Sequence, residues 1–225
     1  MVEAGKLIVI TGPMFSGKTT KLISEISKAR KKNLRAVVLK SAIDTRYSRS
    51  DVVSHDGLKL PAMVLPDGEA CIPVLRRIAC DYDVIGIDEG HFWDGVPGLA
   101  AALDDLAFDS KIIYVSMLNR KNMGTSFDIG EKLLPLADHI YSLGAHCSQC
   151  GRKAAFTQRI TNYRTGGKQK FVGGAGDYEP RCRTHFMRQK LVGQSSLAEP
   201  ITASPKSAQK IRTKIPISPQ TLPSP

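Results

Sequence analysis

No stretch of this 225-residue chain holds the roughly 18 consecutive apolar residues that a membrane-spanning helix needs, and Met1 to Lys6 lacks the pattern of a signal peptide. The expectation is a soluble, cytoplasmic protein with no membrane partner. Cysteine is scarce at five, and no secretory segment would bring those thiols into an oxidising compartment, which argues against a disulfide framework and for reduced thiols or a metal site. No internal repeat is present. From about Leu191 onward aromatics are absent while Ser, Pro, Lys and Gln dominate, so residues 191–225 cannot bury enough apolar surface to offset chain entropy and are expected to be a disordered, dispensable tail. Six of its neighbourhood's residues from Met187 to Pro225 are basic against one acid, so close to half of the +11 net charge sits there. The rest is a mildly basic globule, and charge alone gives little support to nucleic acid as a partner.

The chain does contain Gly12-Pro13-Met14-Phe15-Ser16-Gly17-Lys18-Thr19, directly after the apolar run Leu7-Ile8-Val9-Ile10. This fits the phosphate-loop pattern. Gly12 and Gly17 permit backbone conformations that turn N–H groups inward onto a phosphate. Lys18 supplies a point charge for the β- and γ-phosphates, and Thr19 a hydroxyl for Mg²⁺. A helix starting near Gly17 adds its positive end to the same anion site.

Leu7 to Thr11 reads as a buried strand, Lys18 to Arg30 as the helix after it, and Arg35 to Leu39 as the next strand. Asp44 to Gly57 is polar and irregular, a loop long enough to be functional. Apolar spacing predicts helices over Glu69 to Cys80 and Val96 to Phe108, with Cys71 and Cys80 as buried apolar residues. Further strands are expected over Val84 to Ile87, Lys111 to Val115 and His139 to Tyr141. Strands alternating with helices imply an α/β fold of P-loop NTPase type, a doubly wound, mostly parallel sheet over residues 1–143. Val84-Ile-Gly-Ile-Asp88-Glu89 fits a Walker-B strand. Asp88 is placed to hold Mg²⁺, and Glu89 to act as base or to position water.

Character changes near Gly144. Cys147-x-x-Cys150 and Cys182-x-x-His185 are two short-spaced pairs able to converge on one tetrahedral Zn²⁺. Four protein ligands leave no open position, so the metal is expected to be structural. It would pin the ends of the excursion between Cys150 and Cys182 and make residues 144–190 a small zinc-binding lasso domain. Within the excursion, Val172-Gly173-Gly174 offers unobstructed backbone groups that can close over a flat ligand, with Tyr178 at the closing end.

Together these segments resemble the zinc-containing, type II cellular thymidine kinases. The resemblance covers about residues 5 to 190. It rests on Gly12 to Thr19 with Met14-Phe15 inside, on Asp44-Thr-Arg46-Tyr47-Ser48 with His55-Asp56, and on Asp88-Glu89-Gly90-x-Phe92. Ala154-Ala-Phe-Thr157-Gln-Arg159 and Val172-Gly-Gly-Ala before Tyr178 extend it. It implies transfer of the γ-phosphate of ATP to the 5′-hydroxyl of thymidine, with deoxyuridine as a second candidate substrate. Glu89 is then the catalytic base, Lys18 and Arg46 serve the phosphates in transfer, and Asp88 and Thr19 serve Mg²⁺. Gly12 to Thr20 and Asp44 bind ATP. Met14, Phe92, Leu118, Thr157, Phe171, Val172, Gly173, Gly174 and Tyr178 surround the nucleoside. A homotetramer (or dimer) and feedback inhibition by thymidine triphosphate are also implied. The chain departs from the family pattern at His185, where cysteine is usual, at His91, where glutamine is common, and over Leu118 to Gly124, where the family carries an Asp-Gly-Thr-Phe run. The rival reading is a nucleic-acid-dependent P-loop ATPase with a zinc ribbon, although the chain has no room for the second α/β domain of a helicase. A GTPase-like switch would need an Asn/Thr-Lys-x-Asp tetrad, which the sequence lacks.

Overall fold

Apolar runs that alternate between two covered faces make the central sheet of this computed structural model, which describes residues 4–44, 51–54, 56–161, 173–174 and 176–188. Arg46, His55, Phe171, Val172 and the tail from Leu191 lie outside the described residues, as does most of the glycine-rich excursion. All described residues fall within one compact unit, 1–189.

In chain order the elements are β1 (Lys6–Gly12), α1 (Lys18–Lys31), β2 (Ala36–Ser41), β3 (Asp51–Val53), β4 (Lys59–Pro61), β5 (Met63–Leu65), α2 (Cys71–Asp81), β6 (Val84–Ile87), α3 (Leu99–Phe108), β7 (Ile112–Leu118), α4 (Asp128–Leu133) and β8 (His139–Ser142). Six strands form one sheet in the order β5-β2-β6-β7-β1-β8, and every neighbouring pair is parallel. A parallel sheet needs both faces covered, because its crossover helices lie on them. Here Ile10, Ala36, Val38 and Val84 pack under Leu22, Ile23 and Ile26 of α1. The alternate residues Leu7, Val9, Val37, Leu39, Ile85 and Ile87 face Leu75 and Ile78 of α2, Leu103 and Leu106 of α3, and Leu133 of α4. The period of two along each strand thus builds two cores from one sheet.

Residues 145–188 add two antiparallel hairpins. β9 (Ala145–His146) pairs with β10 (Lys153–Ala154), and β11 (Phe156–Arg159) pairs with β12 (Tyr178–Arg181).

Several elements differ from the sequence-based expectation. The polar loop after Asp44 contains a hairpin, with Val52 paired to Leu60 and both buried. β5 and α4 carry too few residues for a periodic signal. α3 starts at Leu99 rather than Val96, because Pro97 and a left-handed Gly98 (φ 75°) precede it. Cys71 is buried as expected, but Cys80 is exposed. Cys71, Leu75, Ile78 and Ala79 occupy the buried stripe of α2, and the next position rotates out of it. Among the described residues no helix is long and apolar enough to cross a membrane.

Candidate active site

The loop after β1 is bound largely to itself. The Pro13 carbonyl accepts from Ser16 Oγ at 2.8 Å and from Lys18 Nζ at 2.8 Å, which holds the buried ammonium across the loop. Phe15 (φ 63°) and Gly17 (φ 79°) are both left-handed, the curl that gathers backbone N–H groups around an anion. At Gly12 a methyl group would stand 2.5 Å from Ser16 Oγ and 2.6 Å from the Leu143 carbonyl, so no other residue fits.

β6 ends beside this loop. Asp88 is 6% exposed, and its Oδ1 accepts from Thr19 Oγ1 at 3.3 Å and from Ser116 Oγ. Ser116 arrives there because β7 lies between β6 and β1, with Ile87 opposite Val115 and Ile10 opposite Ser116. Glu89 takes a left-handed conformation (φ 53°, ψ 44°) and leads into a 3₁₀ turn over Gly90–Trp93. Trp93 anchors that turn, being fully buried with its indole N–H donating to the Pro66 carbonyl at 2.7 Å. Glu89 Oε2 lies 3.5 Å from His91 Nδ1.

Both carboxylates open onto a cavity of about 370 Å³ whose walls include Lys18, Thr19 and His146. Met14 to Thr20, Asp44, Asp88 and Glu89 all line it, so the residues expected to bind the triphosphate and the expected base come together in one space. Gly12 and Pro13 form the loop beneath. The β3–β4 hairpin also lines the cavity, contributing Asp51 to Val53 and Asp56. Lys40 Nζ donates to the Asp51 carbonyl at 3.2 Å, and Thr20 Oγ1 to Asp56 Oδ2 at 3.0 Å, which ties the hairpin to β2 and α1.

Of the described residues expected around a nucleoside, Met14 lines the cavity, while Phe92, Leu118, Thr157, Gly173, Gly174 and Tyr178 lie outside its lining. Thr157, 2% exposed on β11, reaches it indirectly, because its Oγ1 accepts the Met14 N–H at 3.0 Å. Phe92 is in the turn after Glu89, stacked on His91 with ring centroids 4.8 Å apart. Leu118 ends β7 opposite Gly12, and its N–H points to His91 Nδ1 at 3.4 Å. Gly173 abuts the Tyr178 ring, and the Gly174 carbonyl accepts from the Asp177 N–H at 3.0 Å and the Tyr178 N–H at 3.2 Å, so these three residues meet at the foot of β12.

Cys147 and Cys150 sit in the turn between β9 and β10, while Cys182 and His185 follow β12. Their ligand atoms all lie within 4.8 Å of one another. Cys150 Sγ is 3.8 Å from Cys182 Sγ, and His185 Nδ1 is 3.6 Å from Cys147 Sγ and 3.5 Å from Cys182 Sγ. A tetrahedral zinc ion with bonds of about 2.3 Å to sulfur and about 2.0 Å to nitrogen spaces its ligands at about 3.8 Å and about 3.5 Å. The donor set therefore fits zinc. Burial raises the pKa of the Cys147 thiol, but backbone N–H groups of Cys182, Gln149 and Cys150 and the His185 ring outweigh it and bring the value down to about 5. The Cys147 and Cys150 thiols in turn raise that of His185. Thiolate is the form that binds metal.

Three contributors escaped the sequence reading. Ser116 is a lone polar residue in an apolar strand, a signal that acquires meaning only from strand order. Lys40 closes the apolar run of β2 in the same way. Asn119 sits in the segment that departs from the family pattern. Its N–H donates to the Gly12 carbonyl at 3.2 Å and its side-chain amide to the Ala155 carbonyl at 3.0 Å, so it straps the end of β1 to the Cys/His hairpins.

A parallel doubly wound sheet with a phosphate loop after β1 and an Asp-Glu pair after β6 defines the class, a P-loop nucleotide-handling enzyme. A model of the family described as thymidine kinase matches residues 5–186. The chain belongs to the thymidine kinase family. It is 37% identical over 184 residues to a thymidine kinase of Pyrobaculum aerophilum, covering 80% of this chain and 98% of that one. Against a thymidine kinase of Thermococcus kodakarensis it is 38% identical over 192 residues, covering 83% and 96%. A thymidine kinase of Oryza sativa subsp. japonica is 39% identical over 194 residues, covering 84% and 68%.

Proposed function

We propose that this chain is a thymidine kinase that converts ATP and thymidine to ADP and thymidine 5′-monophosphate. The observation that carries the mechanism is the pair of adjacent carboxylates in unlike settings, both facing the cavity of the phosphate loop. Asp88, held by Thr19 and Ser116, is fixed as a ligand. Asp88 and Thr19 would hold Mg²⁺, which supplies charge neutralisation at the β- and γ-phosphates. Glu89, aimed into the same cavity from a left-handed backbone, accepts the proton of the 5′-hydroxyl. The new O–P bond forms as the bond from the γ-phosphorus to the ADP oxygen breaks, and Lys18 and Arg46 offset the charge that spreads over the phosphoryl oxygens.

Met14, Phe92, Leu118, Thr157, Phe171, Val172, Gly173, Gly174 and Tyr178 are proposed to hold the nucleoside. The 144–190 segment, pinned by structural Zn²⁺ on Cys147, Cys150, Cys182 and His185, would close over it and exclude water. The bond from Met14 to Thr157 supports this reading, since it joins the phosphate loop to the segment assigned to the nucleoside. A cytoplasmic setting, where thiols stay reduced, assembly as a homotetramer and inhibition by thymidine triphosphate complete the proposal.

A nucleoside panel with ATP and Mg²⁺ tests it. ADP release should depend on thymidine and yield thymidine monophosphate. ADP release that ignores nucleosides and rises with DNA or RNA would instead establish a nucleic-acid-dependent ATPase.

A further inference from the structure

One ring nitrogen beside Glu89 faces two partners of opposite polarity. His91 Nδ1 stands 3.4 Å from the Leu118 N–H, a donor, and 3.5 Å from Glu89 Oε2, an acceptor. A ring nitrogen either accepts or donates, according to whether it carries a proton. With its single proton on Nε2, the tautomer that the Leu118 N–H selects, neutral His91 receives that N–H on Nδ1 and offers Glu89 no hydrogen bond there. Protonated His91 turns Nδ1 into a donor for Glu89 and gives up the Leu118 amide. The ring is packed between Phe92, with centroids 4.8 Å apart, and Phe127, at 5.1 Å. It is thereby held in a place where the proton, rather than a swing of the side chain, selects the partner.

Among the described residues, the other charged groups around this turn are occupied elsewhere or lie on α4. Asp94 is joined to Lys121 at 2.8 Å, and Lys121 also stands 5.4 Å from the Phe127 ring centroid. Asp88 is bound by Thr19 and Ser116. α4 carries Asp128, Glu131 and Lys132, of which Glu131 accepts from Ser126.

We propose that His91 is a positioning residue whose protonation withdraws Glu89 from catalysis, and whose neutral form releases Glu89 while pinning the end of β7 through Leu118. The proposal rests on Glu89 being the base of the proposed reaction. A carboxylate in a charge-assisted bond to an imidazolium is a weaker proton acceptor than a released one. Turnover should therefore climb with pH through the range in which histidine titrates, about pH 5 to 8.

The test is the pH profile of kcat at saturating ATP, Mg²⁺ and thymidine for the full chain and for His91→Gln, His91→Phe and Glu89→Gln. Glutamine has a separate oxygen and nitrogen, so it can accept from Leu118 and donate to Glu89 at once, and it does not titrate. The acid limb of the unmodified chain should move to lower pH by about one unit or more in His91→Gln. His91→Phe serves neither partner, and kcat should fall about tenfold across the range, more than the KM for thymidine changes. An acid limb in His91→Gln that coincides with that of the unmodified chain overturns the proposal while leaving the base assignment intact, provided Glu89→Gln is inactive. Near-normal turnover in Glu89→Gln removes the base assignment and this proposal with it.

Discussion

Between β1 and β8 the chain buries two continuous apolar layers, one under α1 and one under α2, α3 and α4, and the residues that make them are mostly Leu, Ile and Val. Between Ala145 and Cys182 the corresponding buried cluster is Ala145, Cys147, Ala154 and Cys182, and two of those four are candidate metal ligands. Burying a Leu or Ile side chain is worth about 1.5–3 kcal/mol, so the first region is supported by burial alone, while two alanines, two thiols and Phe156, stacked on Phe186, supply much less in total. Short antiparallel hairpins are at best marginal without a further clamp. The sheet therefore holds itself together. The Cys/His segment has seams with the sheet, through Met14 and Thr157, Asn119 and Ala155, and the Arg120 guanidinium 4.9 Å from the Phe156 ring centroid, and a metal on its four ligands would supply the rest. The site lies where the self-sufficient region meets the dependent one, so the position of the segment can be altered without undoing the phosphate loop.

Metal withdrawal should separate the two regions most sharply. The chain should contain about one zinc, and a strong chelator or Cys182→Ser should remove it. Thymidine-dependent turnover should then fall by about 10² or more, the scale on which misplacing reacting groups is felt. The far-ultraviolet circular dichroism of the sheet should persist and still melt cooperatively. A metal-free chain with full activity would erase the distinction between the regions.

Acid should separate them in sequence. Without metal the Cys147 thiol is brought down to about 5, and a bound zinc competes with that proton, so zinc should be retained above this value and released only as pH falls below it. Just before β2 and β6 the Arg35 guanidinium bonds Asp83 at 2.7 Å and, with a backbone bond from the same residue, holds its carboxyl down to about 2. A depressed carboxylate stabilises the fold above its unfolded value of about 3.9 and loses that contribution as pH falls through the folded one. Zinc release by a metal-sensitive dye should accordingly precede the acid loss of sheet ellipticity.

Cutting a single seam should have a smaller effect. Thr157→Val leaves the Met14 N–H without its acceptor, and a lost hydrogen bond of about 1 kcal/mol corresponds to about fivefold in the KM for ATP or thymidine. Thr157→Ser, which keeps the hydroxyl, should restore it. Equal kinetics in both variants would mean that the seam does not transmit position between the regions. Smallest of all, Arg35→Gln should leave activity unchanged and only lower the pH stability of the sheet near its acid limit, because a half-exposed ion pair contributes little.

The features legible in the sequence were those written within a few consecutive residues. The phosphate loop, Asp88-Glu89 and the two ligand pairs each sit on one turn, and their spacing carries the chemistry. The long strands β1 and β2 and the helix α1 were equally plain, since a buried run or a helical stripe of that length has few readings. β3, β4 and β5 were not, because three-residue strands carry no period and take their conformation from neighbours. Ser116 and His91 were illegible as partners for another reason. Ser116 meets Asp88 only because β7 is threaded between β6 and β1, and His91 meets Leu118 only because the turn after β6 packs on the end of β7. Such contacts belong to the sheet order rather than to any local pattern. Likewise Asn119 departs from the family pattern yet makes the strap to Ala155, which no reading of its own segment reveals.

The central claim is that Glu89, in the turn after β6, performs the chemistry while the Cys/His segment supplies position. Single-turnover phosphoryl transfer from ATP to thymidine in Glu89→Gln measures this most directly, with thymidine binding followed in parallel. The account predicts a transfer rate lowered by about 10² or more with thymidine affinity retained. Transfer at close to the unmodified rate would contradict it.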